Sequence, residues 1–196
     1  MDSGLFSIEG GAVTARALAA ADVPALQRFF EANPDYFVLT GGAPPGANEA
    51  QSEMDDLPPA GMSYTGRWVI GFADAGGGLQ AMASLLSDFL APRVWHLGLF
   101  IAATSLHGSG RPQAFYDALE RWMNGQGAQW LRLGVVIGNA RAERFWHRQG
   151  FVQTRERGPL TIGQRQQMLR VMVKPLAGGT PAQYLTLVAR DRPGEA

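Results

Sequence analysis

The sequence has no cysteine, a single lysine and three histidines among its 196 residues. Without cysteine there is no disulfide, no thiolate metal site and no cysteine nucleophile. Three dispersed histidines and no HExxH pattern leave a zinc enzyme without a ligand set, so no metal is expected. Charged residues are also scarce, at 17% against roughly 25% for soluble proteins, which excludes a highly charged disordered chain. Glycine and proline, 25 and 12 residues, stay below the low-complexity range. No apolar run approaches the roughly 18 residues of a membrane span, and the opening MDSGLFSIEGG lacks a positively charged leader. A cytoplasmic protein with no membrane partner is expected, built as one α/β (α+β) domain.

The formal charge of zero hides an asymmetry. Residues 1–100 carry 4 basic and 11 acidic side chains, and residues 101–196 carry 13 and 6, so the halves sum to −7 and +7. Such opposition fits an anionic ligand on one side and a cationic one on the other, unless the halves interleave in the fold and cancel. The arginines between Arg141 and Arg157 are broken by Glu143 and Glu156. They read as a solvated face, and no nucleic-acid partner is expected.

Periodicity predicts alternating elements. A short strand at Val13–Leu18 is followed by a helix capped by Asp22 with Pro24 in its first turn. Asn33–Gly46 reads as a loop and Asn48–Asp56 as a short acidic helix. Strands are expected at Arg67–Ala73 and Leu79–Leu86, joined by the DAGGG turn, and at Val94–Ala102, where a nearly all-apolar run marks burial on both faces. A helix follows from Pro112 to about Asn124, then a strand at Trp130–Ile137 and a helix capped by Asn139 and ended by Gly150. Strands at Phe151–Arg157 and Gln167–Val173 complete a mixed sheet. Trp122, Trp130 and Trp146 fall at core-periodic positions. Beyond Leu176 the tail carries an expected strand at Tyr184–Ala189, which leaves open pairing with a second copy in a homodimer or a frayed extension.

The most informative stretch is a buried strand, then HGSGRP, then an amphipathic helix. Glycines there let successive N–H groups turn inward, and a helix N-terminus adds partial positive charge, which together make an anion site; the same pattern also serves as a plain tight turn. A dinucleotide fingerprint fits poorly, because Gln113 stands where its third glycine is needed, and no GK[ST] follows for a Walker loop. The runs WHLGLFIAATSLHGSGRPQAFYDALERWM and WLRLGVVIGNARAERFWHRQGF, over about residues 94–152, resemble the two central motifs of the GCN5-related N-acetyltransferase (GNAT) superfamily. TARALAAADVPALQRFF and RQQMLRVMVKPL resemble its first strand and helix and its last strand.

The resemblance implies a single domain over residues 1–176, followed by an extension over 177–196. It implies a mixed sheet splayed between its fourth and fifth strands (94–102 and 130–137), flanked by helices. Acetyl-CoA would bind in the splay as co-substrate. Phe100, Ile101 and Ala102 would pair with the pantetheine arm, and His107, Gly108, Ser109, Gly110, Arg111 and Gln113 would hold the pyrophosphate. Asn139 and Trp146 complete the cofactor set, Asn139 also being a plain helix cap. Three positions depart from the family pattern. His107 stands for Gln or Arg and donates most strongly when protonated. Pro112 lacks an N–H, and Trp146 replaces a frequent acid Tyr with an indole that cannot release a proton.

Direct transfer to an amine needs a base for the ammonium proton. Histone-acetylating members place it eleven residues before the motif Gln, which lands here on His96; a buried structural histidine is the alternative. Tyr36 is a candidate acid or substrate-stacking ring, and Asp88 and Glu53 are further polar candidates near the cleft. The function expected is N-acetyl transfer to a small-molecule or peptide amine. A catalytically idle acyl-CoA-binding module and a nucleotide binder using HGSGRP stand as alternatives.

Overall fold

The structure, a computed structural model, describes residues 4–8 and 12–194. Parts of the opening MDSGLFSIEGG and the last two residues of the tail therefore lie outside the described residues. The elements run β1 (Phe6–Ile8), β2 (Val13–Ala17), α1 (Val23–Ala32), α2 (Asp35–Gly41), α3 (Glu49–Asp55), β3 (Gly66–Asp74), β4 (Leu79–Ser87), β5 (Val94–Ala102), α4 (Arg111–Gly125), β6 (Trp130–Val136), α5 (Ala140–Arg148), β7 (Val152–Ile162), β8 (Arg165–Pro175) and α6 (Pro181–Leu187). The strands form one mixed sheet in the order β1-β2-β3-β4-β5-β6-β8-β7. Only β5 and β6 are parallel, and α4 is the crossover that a parallel pair requires.

That pair positions the site. β5 and β6 are in register from Val94↔Trp130 to Leu97↔Leu133, and then the pairing stops. On its other edge β5 stays bonded to β4 as far as Ala81↔Ala102, but Leu85 faces Leu97 and Ser84 faces Leu99. Gly98 is thus an extra residue, a bulge that bends β5 away from β6 where the splay begins. A Cβ at Gly98 would lie 3.2 Å from the Ser84 hydroxyl. The splay expected from the sequence is present, and the small strand β1 raises the strand count by one.

The core on one side of the sheet is built by α4, whose Phe115, Leu119 and Met123 are fully buried at i, i+4 and i+8. Burying each such side chain contributes about 1.5–3 kcal/mol. Trp68 and Trp95 stack at 5.0 Å, and Trp122 meets both edge-on. On the other side α1 buries Leu26, Phe29 and Phe30 beneath β3–β5. Asp22 does not cap α1. Its carboxylate takes the Ala19 N–H at 2.8 Å and two bonds from Arg16 at 2.8 and 2.6 Å. The hydrogen bond from Arg16 holds that carboxyl down at about 2.

Two stretches differ from the sequence reading. The expected loop at Asn33–Gly46 contains α2, entered through Pro34 and stopped by Gly42 at φ 87°, a left-handed position that glycine takes without strain. The expected tail strand at Tyr184–Ala189 is mostly helix: Thr180 caps α6 by accepting the Gln183 N–H at 3.1 Å. Tyr184 and Val188, four apart on one helical face, are buried against Val94, Trp130 and Val173. Proline at the first turn and a threonine cap outweigh the β-branched character of the run.

Candidate active site

The splay opens a cavity of about 740 Å³ between the ends of β5 and β6. Its walls include Phe100, Ile101 and Ala102 of β5, His107 and Pro112 of the following loop, Asn139–Ala142, Phe145 and Trp146, with Tyr36, Val38, Leu39 and Arg165 opposite. Six expected cofactor residues line it: Phe100, Ile101, Ala102, His107, Asn139 and Trp146. Asn139 also caps α5, its Oδ1 accepting the Ala142 N–H at 3.2 Å. Phe100 stacks on Phe145 at 6.2 Å and meets Trp146 edge-on, so the floor of the splay is aromatic.

The other five, Gly108, Ser109, Gly110, Arg111 and Gln113, do not line it. Gly108 and Gly110 hold φ 80° and 83° and lead straight into α4, and a Cβ at either would meet nothing within 4 Å. The open space in front of a helix start suits a phosphate. Two of the expected donors are engaged within the loop: the Ser109 N–H bonds Leu106 O at 3.1 Å and the Arg111 N–H bonds the Ser109 hydroxyl at 3.2 Å. Gln113 turns its side chain to Asp117 and Gln149, at 2.7 and 2.6 Å. With an unpaired inner edge of β5 and glycines at the start of α4, the residues present fit acetyl-CoA.

Arg141 lines the cavity and donates to His107 Nδ1 at 2.6 Å. Burial and the Arg141 charge push the His107 pKa below its ordinary value, with the Ala102 carbonyl pulling the other way. His107 is therefore neutral at pH 7 and meets an anion as a neutral ring, without the stronger donation that protonation would give. The cation in this corner of the cavity is Arg141, which the sequence reads as part of a solvated face. Its position one residue into a helix capped at the motif Asn was the signal.

A second cavity of about 360 Å³ adjoins the first, and Tyr36 lines both. It is enclosed by α2, α3, the Gly98 bulge and the β7–β8 turn, with Glu49, Glu53 and Asp56 on the α3 wall. That turn is fastened to α2: Gln164 N–H and Gln167 Nε2 donate to the Gly41 and Thr40 carbonyls, both at 2.8 Å. Arg165 NH1 donates to Leu39 O at 2.9 Å. The end of α3 is held by Arg67, which donates to the carbonyls of Met54 and Glu53 at 2.9 and 2.5 Å. Burial raises the Glu53 carboxyl to about 7, with Asp56 and Glu49 adding repulsion against the pull of Ser84 and Arg67. Burial and the nearby Glu53 charge push the Tyr36 phenol up to about 12.

His96 lines neither cavity. It lies on the paired part of β5, opposite Arg132. Its ring stacks on Phe89 at 4.8 Å, and its Nδ1 is 3.1 Å from the Arg132 carbonyl. Burial and the Arg132 guanidinium lower its pKa to about 3. Asp88 is also committed elsewhere, accepting from Thr65 and from the Arg93 N–H, both at 2.6 Å. Among the described residues there is no cluster of three or more metal-ligating side chains and no helix long and apolar enough to cross a membrane.

Comparison with solved structures finds the same fold in an acetyltransferase from Thermus thermophilus, with a TM-score of 0.67 and 22% identity over 89% of this chain and 100% of that one. A spermidine N-acetyltransferase from Vibrio cholerae, solved in complex with CoA and spermine, aligns with a TM-score of 0.63 and 18% identity over 89% of this chain and 98% of that one. The ribosomal-protein-S18-alanine N-acetyltransferase from Escherichia coli aligns at 0.61 and 17%, over 86% and 97%. At these identities the likeness is one of fold. No significant match was found among curated protein sequences. The model of the acetyltransferase (GNAT) family matches residues 26–151, which contain the splay, the glycine loop and α3; the chain belongs to the GNAT family of acetyltransferases.

Proposed function

We propose that the protein transfers an acetyl group from acetyl-CoA to a primary amine by direct attack, both substrates being bound together. The observation that carries this reading is the junction of the two cavities at Tyr36, with Glu53 also lining the smaller one. Acetyl-CoA supplies the activated acetyl thioester. Phe100, Ile101 and Ala102 offer it an unpaired strand edge, the start of α4 and Arg141 take its phosphates, and Asn139 flanks the arm.

On the acceptor side, Glu53 takes the ammonium proton. A carboxyl near 7 is matched to that step, being half ionised at neutral pH yet basic enough to accept the proton. His96 is unsuited, since it is remote from both cavities and neutral until about pH 3. Tyr36 lines both cavities, and its phenol, held protonated at neutral pH, donates a hydrogen bond to the departing thiolate in place of the frequent acid Tyr that Trp146 replaces.

The test is acetyl transfer to a panel of amines, followed by thiol release. With no cysteine in the chain, a thiol reagent reads CoA alone. Glu53→Gln is expected to lower kcat by roughly 10²–10⁴-fold while acetyl-CoA affinity by calorimetry stays within a factor of two or so. Binding of acetyl-CoA with no transfer to any amine would instead identify an idle acyl-CoA-binding protein.

A further inference from the structure

Asn33 follows the last residue of α1, lines the large cavity and is 7% exposed. Both ends of its amide are used. Nδ2 donates to the Phe29 carbonyl at 2.7 Å, one of the acceptors that the end of a helix leaves open. Oδ1 accepts the N–H of Thr104 at 2.7 Å, across 71 residues of sequence. A side chain that donates and accepts at once is needed for this, which an aliphatic residue or a carboxylate does not supply.

Thr104 is where β5 leaves the sheet. The Ala103 N–H still reaches the Gln80 carbonyl at 2.9 Å, and the chain then turns through Thr104–Leu106 toward the glycines. The bonds that follow are local, from the His107 N–H to Thr104 O and from the Ser109 N–H to Leu106 O, both at 3.1 Å. Local turns set the shape of this loop, and contacts from outside fix where that shape stands. Asn33 supplies such a contact at its start, as Arg141 does at His107.

Resting on the acetyl-transfer reading above, we propose that Asn33 is a positioning residue for the cofactor: it holds the turn at Thr104 so that the loop before α4 is in place when acetyl-CoA arrives. Without that bond, acetyl-CoA has to order the loop as it binds, which weakens affinity. Once the cofactor is bound the loop is in place, so the transfer step itself is spared.

Two variants of the full-length protein test this. Asn33→Ala removes both bonds, whereas Thr104→Pro removes the N–H from the loop side, leaves the end of α1 intact and tests the proposal by itself if Asn33→Ala does not fold. Proline is tolerated there, because Thr104 is the first residue of its turn and Ala103 before it is extended, at ψ 134°. In both variants Kd and KM for acetyl-CoA are expected to rise about 3- to 10-fold, the scale of one hydrogen bond, while kcat at saturating acetyl-CoA stays within about 2-fold. Amide hydrogen exchange over residues 104–109 should be faster than in wild type for the free protein and equal to it with acetyl-CoA bound. Unchanged acetyl-CoA affinity in either folded variant confines Asn33 to the end of α1 and overturns the proposal, leaving amine acetylation standing. A fall in kcat with KM unchanged overturns it as well. A wild-type protein that binds no acetyl-CoA overturns both the proposal and the reading on which it rests.

Discussion

Arg132 and Asp191 form a buried two-point ion pair, Nε to Oδ2 at 2.6 Å and NH2 to Oδ1 at 3.1 Å. Arg132 stands on β6 inside the paired part of the splay, and Asp191 belongs to the segment beyond Leu176. Their side chains are 6% and 0% exposed. The Tyr184 hydroxyl donates to the same carboxylate, so each oxygen of Asp191 has a partner. A segment that resembled nothing in the family motifs is therefore bonded to the strand pair that forms the cleft.

Asp191→Ala leaves Arg132 charged, buried and unpaired, and a loss of about 3–5 kcal/mol is expected. Urea unfolding of the two proteins measures it. Burial raises the Asp191 pKa, but the hydrogen bond and charge of Arg132 outweigh this and hold it below the ordinary carboxylate value. A lowered folded pKa means stability that is present above the unfolded value of about 4 and lost as pH falls below it. The gap between wild type and Asp191→Ala should therefore narrow in acid. A gap of constant size from pH 7 to pH 3 would deny the pairing its role.

His96 gives a contrasting expectation. Its ring stacks on Phe89 beside Arg132, so His96→Phe retains the packing and loses one hydrogen bond, worth about 1 kcal/mol. The kcat–pH profile should keep its shape, because a ring neutral down to about pH 3 has no titration near neutrality to contribute. A loss of activity confined to neutral pH, recovered in alkali, would return His96 to the role of base.

The sequence carried the cleft further than it carried the chemistry. Buried apolar strands, the HGSGRP turn and the Asn139 cap are local signals, each set by residues within a few positions, and the structure places all three at the splay. The base proposed for the acceptor side is not local. His96 was reached by counting along β5, but Gly98 is an extra residue in that strand. The count ends on the paired side of the bulge, where His96 lies between β4 and β6. Glu53 enters the acceptor cavity from α3, whose position is set by Gln27 accepting the Ala50 N–H and Arg67 gripping its far end. Those contacts are 23 and 13 residues apart in sequence and have no periodic signature. The basic half supplies Arg141 and Arg165 to the lining of the large cavity and the acidic half supplies Glu49, Glu53 and Asp56 to that of the small one, although Asp35 of the acidic half lines the large cavity as well.

Arg141 offers a test of the anion corner that does not depend on turnover. Arg141→Gln removes a charge from the cavity wall, and acetyl-CoA affinity is expected to fall about 10-fold, the scale of one charge-assisted hydrogen bond. The same change removes one of the causes that lower the His107 pKa, so the ring should titrate higher in the variant by NMR. Unchanged affinity with a shifted His107 would place Arg141 beside the phosphates without contact.

Glu53 ties stability to function with the opposite sign from Asp191. Its carboxyl is raised from 4.5 to about 7, mostly by burial. Below about pH 4.5 it is protonated in both folded and unfolded chains, and no charge is buried. Above about pH 7 it is ionised in both, and the folded chain bears a cost on the order of 2–3 kcal/mol. Glu53→Gln mimics the protonated form, so it should be more stable than wild type at pH 8, with the advantage fading between pH 7 and pH 4.5. Urea midpoints at pH 8, 6 and 4 read this directly. The same variant loses activity in the transfer assay, so a folded, stabilised and inactive protein is the expected outcome. A variant less stable than wild type at pH 8 would mean that the Glu53 carboxylate is favourably held in the wall, which leaves it too acidic to take the ammonium proton.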